Sequence, residues 1–423
     1  MLDIKFITEN AELVKQACNQ KHEPNYVDEI VELVNKRKAT VTQRDQLRQK
    51  LNDVSSKVAE IAKQKGDVAQ IKKDAKGISD NVKSLEDELR NIEEKLNTLA
   101  LRVPNIPHES VPIGKNADDN AIIRHWGEPR EFSFAPKDHL ELNEKLGMID
   151  FESGAKVAGS FFPTYTGDGA RLLRSLISFM IDVHTLSGKY REAIPPFLAN
   201  RETLTGTAQL PKLEEDMYHL DQEDLFLIPT SEVQLINIFR GETLQEDNLP
   251  IYICGYSACF RREAGTYGKE TRGLMRLHQF DKVELVKIAH PEKSWEEHED
   301  MLTDAEKILQ LLGLHYRVIL LCTGDMTFAS AKTYDIEVWA PGTNKWLEVS
   351  SVSNTTDFQA RRMNTRFRSA QDGKLHFVHT LNGSGVALPR LIIALMENYQ
   401  NADGTIIVPD VIQRYFGKEK IML

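Results

Sequence analysis

Residues 260–284 read FRREAGTYGKETRGLMRLHQFDKVE. Just upstream, Ile251, Tyr252, Ile253 and Tyr256 place β-branched and aromatic side chains in a short run, the composition of a strand. Gly265, Gly268 and Gly273, interleaved with Lys269, Glu270 and Arg272, make the middle of the segment a solvated loop. A second strand is expected to begin at Met275. Side chains alternate faces along a strand, so Arg276, His278, Phe280, Lys282 and Glu284 belong to one side, opposite Leu277, Val283 and Leu285. Arg261 and Glu263 share a face of the first strand by the same parity. A surface carrying arginines, an aromatic ring and carboxylates suits a charged ligand with a flat base. The guanidinium fork matches phosphate oxygens, Phe280 can stack on a purine, and a deep glutamate can receive an ammonium group. Spacing alone leaves a solvated, exposed hairpin as the alternative.

The chain has 423 residues, 41% of them hydrophobic and 27% charged, enough for two domains or one large domain with an appendage. No apolar run approaches the ~20 residues a membrane helix needs, and MLDIKFITEN has no basic segment followed by an apolar one. Cys18, Cys254, Cys259 and Cys322 are scattered without a CxxC pair, which argues against a disulfide framework or a Cys-rich zinc site. A reduced, cytoplasmic protein without a membrane segment is expected. The formal net charge of −10 means that nucleic-acid contact would have to rest on a local basic patch.

From the N-terminus, residues 1–20 suggest a short strand and then a helix capped at Asn10. A long helical region follows. Leu47, Leu51, Val54, Val58 and Ile61 step by four and three, as do Ile78, Val82, Leu85, Leu89, Ile92, Leu96 and Leu99. Two such seams, with Gly66 and Gly77 bracketing the break, predict an antiparallel coiled-coil hairpin. Some forty residues per arm at ~1.5 Å each give a protruding lever of about 60 Å. Its tip concentrates Lys63, Lys65, Lys72, Lys73 and Lys76 against Asp67 and Asp74, a patch fit for a phosphate backbone. Pro104, Pro107 and Pro112 then punctuate a linker. Two domains are expected, 1–104 and 105–423.

Four further segments complete the second domain. Residues 169–197 read as a helix, a turn at Gly188 and a strand ending in IPPF. PTSEV (229–233) follows a short strand at Leu225–Ile228, and the equal parity of Thr230 and Glu232 lets both face one pocket. In DIEVWAPGTNKWLEVSSVSN (335–354) a hairpin turns at Pro341-Gly342-Thr343-Asn344. Glu348 and Ser351 are three apart there, so they share a ligand only if the strand bends between them. Trp339, Trp346 and Val349 read as core. In LNGSGVALPRLIIALMENYQ (381–400), Gly383-Ser384-Gly385 is expected to form a tight bend before a helix with Pro389 in its first turn. Arg390 lies beside that helix N-terminus, where anions are favoured.

The strings FRREAG, TRGL and HQFDKVE resemble motif 2 of class II aminoacyl-tRNA synthetases, and their wording resembles the seryl-tRNA synthetase family. Residues 169–197 resemble motif 1, 251–288 motif 2 and 381–400 motif 3 of that class, and the likeness spans essentially the whole chain. It implies an α+β fold, a class II antiparallel sheet flanked by helices with an N-terminal coiled-coil arm. It also implies a ligase that joins serine to tRNA(Ser), with tRNA(Sec) as a second acceptor, using ATP and Mg2+ as a homodimer. By residue, the resemblance implies ATP contacts at Arg261, Arg262, Glu263, Arg276, Phe280, Glu348, Val349, Ser350, Ser351 and Arg390. Arg261, Glu348 and Arg390 would be catalytic, and Glu348 and Ser351 would hold magnesium. Serine contacts fall on Thr230, Ser231, Glu232, Arg261, Glu284 and Ser384, and the tip lysines would meet tRNA. Phe161, Gln234 and Pro389 depart from the usual wording without replacing an implied contact. About two dozen residues follow motif 3, too few for the C-terminal anticodon-binding domain of prolyl or threonyl enzymes, so tRNA recognition is expected to fall to the arm. Two rivals are a paralogue serving a carrier other than tRNA and a non-catalytic tRNA-binding protein. The long arm opposes the first, and retention of Arg261, Arg276, Glu348 and Arg390 opposes the second.

Overall fold

Two short helices, α1 (Ile4–Glu9) and α2 (Ala11–Gln20), open the chain in a computed structural model that describes residues 1–63, 69–263 and 272–422. The expected strand is therefore a helix. Asp3 explains it, since its carboxylate accepts from the N–H groups of Lys5 and Phe6 and caps α1. Asn10 makes no side-chain cap to α2.

The heptad stripes become α3 (Val27–Lys63) and α4 (Ala69–Ala100), which pack antiparallel. Val82, Leu89, Ile92, Leu96 and Leu99 of α4 are buried, whereas most intervening positions are exposed, so the hydrophobic effect acts along a narrow seam. Ion pairs Lys95–Glu29 (2.6 Å), Lys36–Glu88 (2.9 Å) and Arg37–Glu93 (2.8 Å) flank the seam. They are solvent-screened and set register more than stability. Gly77 lies inside α4 rather than at the break, with open space where a Cβ would be. Gly66, Lys65 and Asp67 lie outside the described residues, as does the Lys63 side chain; Lys72, Lys73 and Lys76 are exposed.

The chain divides into two units, Met1–Pro104 and Asn105–Leu423. The second is built on an eight-stranded sheet. Along the chain its elements are β1 (Ala121–Trp126), α5 (His139–Leu146), α6 (Gly167–Thr185), β2 (Arg191–Glu192), α7 (Glu232–Asn237), β3 (Ile251–Phe260) and β4 (Gln279–Ala289). Then come α8 (Ser294–Leu311), β5 (Tyr316–Leu320), β6 (Lys332–Ala340), β7 (Lys345–Asn354), α9 (Phe358–Met363), β8 (His379–Ala387) and α10 (Leu388–Asn398). The strand order is β1-β5-β6-β7-β8-β4-β3-β2, antiparallel except where β2 joins β3. Helices α6, α8 and α10 cover one face, packing Leu176, Met301, Leu309 and Leu391 against Val283, Leu285, Ile336 and Val352. Part of the other face is covered by α7 and α9 around Val286 and Ile288.

Several sequence expectations change here. The second strand of the 260–284 segment begins at Gln279 rather than Met275, and Arg261 and Glu263 lie beyond the end of β3. Of the strand expected to end in IPPF only Arg191–Glu192 forms, and Leu198–Asn200 just after IPPF is a separate short strand. Gly383-Ser384-Gly385 is not a bend but lies within β8. Val349 joins the core, but Trp339 and Trp346 are only half-buried and meet edge to face at 5.3 Å. Gly265, Gly268, Lys269 and Glu270 lie outside the described residues. Among the described residues no helix is long and apolar enough to cross a membrane, and all four cysteines are buried and free.

Candidate active site

On the sheet face opposite the three covering helices lies a cavity of about 720 Å³. One part of it is walled by Thr230, Glu232, Lys282, Glu284, Asn382 and Ser384. Lys282 and Glu284 point into it because both have the parity opposite to Val283 and Leu285, which belong to the core. Glu284 is fully buried, and Lys282 Nζ approaches its Oε2 to 2.5 Å while donating to Thr230 Oγ1 at 2.6 Å. Neither Glu284 oxygen has a hydrogen-bond partner of good geometry among the described residues. Glu232, the first residue of α7, accepts at Oε1 from Gln359 Nε2 at 2.6 Å. Burial and the nearby charge of Glu284 push its carboxyl up to about 7. This is a small polar chamber with carboxylate oxygens free to receive a ligand's ammonium and hydroxyl hydrogens.

The rest of the cavity is cationic and aromatic. Arg261 sits over the ring of Phe280, 5.1 Å from its centroid, and donates through Nε to Pro229 O at 3.3 Å. Arg276 is ion-paired with Glu263. Arg390 follows Pro389 in the first turn of α10. Its Nη1 donates to Glu348 O at 2.8 Å and to Glu348 Oε2 at 3.2 Å, and its Nε donates to Met275 O at 3.3 Å.

Two breaks in strand register build this site. Between β6 and β7, Ile336 pairs with Ser350 and Glu337 with Glu348, leaving Val349 as an extra residue. Such a bulge re-aims side chains, and it places Glu348 and Ser351, three apart in sequence, on the cavity face together. Between β4 and β8, Lys282 pairs with Ala387 and Glu284 with Ser384, so β8 carries the extra residue. Val386 there has a φ of +120°, a conformation a β-branched side chain strongly disfavours. That strain sits two residues from Ser384.

Glu348 and Ser351 present oxygen donors, and Asp335 lies across the strand pair from Ser351. Asp335 Oδ1 is buried without a hydrogen-bond partner among the described residues, and burial beside Glu348 holds this carboxyl well above its usual range. Such oxygens fit Mg2+, which takes one or two carboxylates and completes its shell with phosphate and water. Among the described residues no group of three or more His, Cys, Asp and Glu is arranged to hold a metal alone.

Of the residues expected here, Thr230, Glu232, Arg261, Glu263, Arg276, Phe280, Glu284, Glu348, Val349, Ser351, Ser384 and Arg390 line the cavity. Ser231, Arg262 and Ser350 are outside its lining. Ser231 bonds Ser257 through their hydroxyls, Arg262 is exposed, and Ser350 Oγ donates to Ser384 O at 2.5 Å. Sequence reasoning assigned no role to Lys282, although parity placed it on the right face. Gln359 gave no local signal at all.

The eight-stranded sheet with this cavity defines the class II aminoacyl-tRNA synthetase core. Residues 215–399 match the family model described as the tRNA synthetase class II core domain (G, H, P, S and T), and residues 1–107 match the seryl-tRNA synthetase N-terminal domain. A serine–tRNA ligase of Desulforamulus reducens is 53% identical over 99% of this chain and 98% of its own length. That of Geobacillus kaustophilus is 50% identical over the full length of both. The chain belongs to the seryl-tRNA synthetase family and is an aminoacyl-tRNA ligase. Seryl-tRNA synthetase from Pyrococcus horikoshii, solved in complex with ATP, superposes with a TM-score of 0.94 at 38% identity, covering 100% of this chain and 99% of that one. The cytoplasmic serine-tRNA ligase of Naegleria fowleri, solved with AMP, gives 0.89 at 31% with the same coverage.

Proposed function

We propose that the chain activates serine with ATP to seryl-adenylate and transfers the seryl group to the 3′ end of tRNA(Ser), with tRNA(Sec) as a second acceptor. The observation that carries this reading is the joining, in one cavity, of the carboxylate chamber around Glu284 to the arginine and Phe280 region. The ATP and AMP held by the two structural relatives agree with a nucleotide there.

Serine's carboxylate is already ionised near neutral pH, so the first step needs no general base. One of its oxygens attacks the α-phosphorus in line, an O–P bond forms, and the bond to the bridging oxygen breaks to release pyrophosphate. Arg261 takes the α-phosphate, Arg276 and Arg390 the β- and γ-phosphates, and Phe280 stacks on adenine while Glu263 orients the nucleotide. Thr230, Glu232, Glu284 and Ser384 hold serine. Glu348 and Ser351 would hold magnesium, which neutralises phosphate charge when bound. Positioning and electrostatics supply most of the acceleration. A ribose hydroxyl of the terminal adenosine then attacks the seryl carbonyl and AMP leaves. On this reading 1–104 is the tRNA-binding domain, where the arm's exposed lysines follow phosphate and shape rather than base edges. The enzyme works in the cytoplasm as a homodimer joined through 169–197.

Serine-dependent ATP–pyrophosphate exchange by the purified protein, followed by charging of tRNA(Ser), tests the reaction. Exchange that does not depend on serine would overturn it. Sedimentation of the same preparation tests the dimer, and a monomer at micromolar concentration would remove that part.

A further inference from the structure

A lysine that is 6% exposed and lies in a ligand chamber calls for a reason beyond stability. A buried ion pair contributes little net stability compared with apolar packing of the same volume. Lys282 could have been apolar, since it is flanked on neighbouring strands by the small residues Ser257 and Ala387. Its Nζ instead contacts two groups of the chamber, Thr230 Oγ1 and Glu284 Oε2.

Those contacts constrain hydrogens. A threonine hydroxyl has two acceptor positions and one hydrogen to donate. Thr230 Oγ1 accepts from Lys282 Nζ at 2.6 Å and from Glu232 N at 3.4 Å, so both acceptor positions are filled. Its own hydrogen is left to donate into the cavity. Glu284, drawn toward Lys282 through Oε2, leaves Oε1 as a buried acceptor without a partner among the described residues. One donor and one acceptor then face the same space, the complement of an alcohol that accepts one hydrogen bond and donates another.

We infer that Lys282 is a positioning residue that orders Thr230 as donor and Glu284 as acceptor, so that the pair reads the hydroxyl of the amino-acid substrate. This rests on the serine-activating reading above and deepens it. Lys282 acts through its two neighbours, Thr230 and Glu284. Alanine in the chamber would leave the Thr230 hydrogen and Glu284 Oε1 both unpaired, and a site built to bond a hydroxyl rejects its absence strongly.

The test compares the parent, Lys282→Met, Glu284→Gln and Lys282→Met/Glu284→Gln in pyrophosphate exchange with serine or alanine. Lys282→Met is expected to raise the KM for serine and to lower the serine-over-alanine ratio on the order of a hundredfold, with the KM for ATP within about twofold. If Lys282 acts through Glu284, the double variant discriminates no worse than Glu284→Gln alone. It also buries no unpaired charge, so it keeps the comparison readable if Lys282→Met fails to fold. Calorimetric titration with a non-hydrolysable ATP analogue confirms that each variant retains its nucleotide site. A parental ratio in Lys282→Met, or losses that multiply in the double variant, would overturn the inference. A parent without serine-dependent exchange would instead overturn the functional reading, which separates the two failures.

Discussion

At the residue scale, the chamber's behaviour turns on two carboxylates that share it. Burial and the charge of Glu284 raise Glu232 from its ordinary 4.5 to about 7, so the fold favours its protonated form. The stability from that preference is fully present below pH 4.5 and is lost as pH rises through about 7. An arriving ammonium group needs the opposite state, the ionised carboxylate. The KM for serine should therefore fall as pH rises toward 7, by up to roughly tenfold per pH unit, with the KM for ATP much less affected. Exchange kinetics across this range give the measurement, and Glu232→Gln should flatten the profile. An unchanged slope in that variant would assign the titration to another group.

At the scale of elements, the site is held by what fastens its strands and helices. Glu397, fully buried near the end of α10, accepts at Oε2 from the N–H groups of Gly342 and Thr343, both at 2.9 Å, in the β6–β7 turn. Its Oε1 accepts from His139 N at 3.1 Å. His139 Nε2 in turn accepts from Leu274 N at 3.4 Å, close to Met275 and Arg276. Gly273 has a φ of +67° and packs so tightly on His139 that a side chain there would collide with it. One carboxylate thus ties together the helix carrying Arg390, the hairpin carrying Glu348 and the approach to Arg276. Glu397→Ala would leave the buried N–H of His139 and the partly buried N–H groups of Gly342 and Thr343 without their acceptor, at ~1–3 kcal/mol for a fully buried group. It should lower stability by roughly 3 kcal/mol or more, read as a lower urea midpoint, and Glu397→Gln should lose less. A midpoint equal to the parent's would mean water satisfies those groups.

Considered as a whole, the molecule divides into two units, Met1–Pro104 and Asn105–Leu423, to which the proposed function gives separate tasks. Every residue that lines the cavity lies beyond position 200. Deleting residues 27–101 should accordingly leave serine-dependent exchange largely intact and abolish tRNA charging. Equal loss of both activities would make the arm part of the catalytic unit. Lys72, Lys73 and Lys76 cluster beside Asp74 near the start of α4, a local basic patch in a chain of net charge −10.

What was legible in the residues follows local periodicity. Heptad spacing marked α3 and α4, and alternation put Phe280, Lys282 and Glu284 on one face. The arginines at 261, 276 and 390 stood out because their charge and surroundings suit phosphate. The first residues suggest a strand, but Asp3 caps a helix there, a signal carried by one side chain. Only tertiary structure brought Glu348 and Ser351 to one face, since the Val349 bulge is a property of the β6–β7 pairing rather than of β7 alone. The same holds for the strained Val386 beside Ser384 and for Gln359, which reaches Glu232 from 127 positions away. Local spacing tells a side chain which way to face; which partner it meets there depends on registers and packings set between segments distant in sequence.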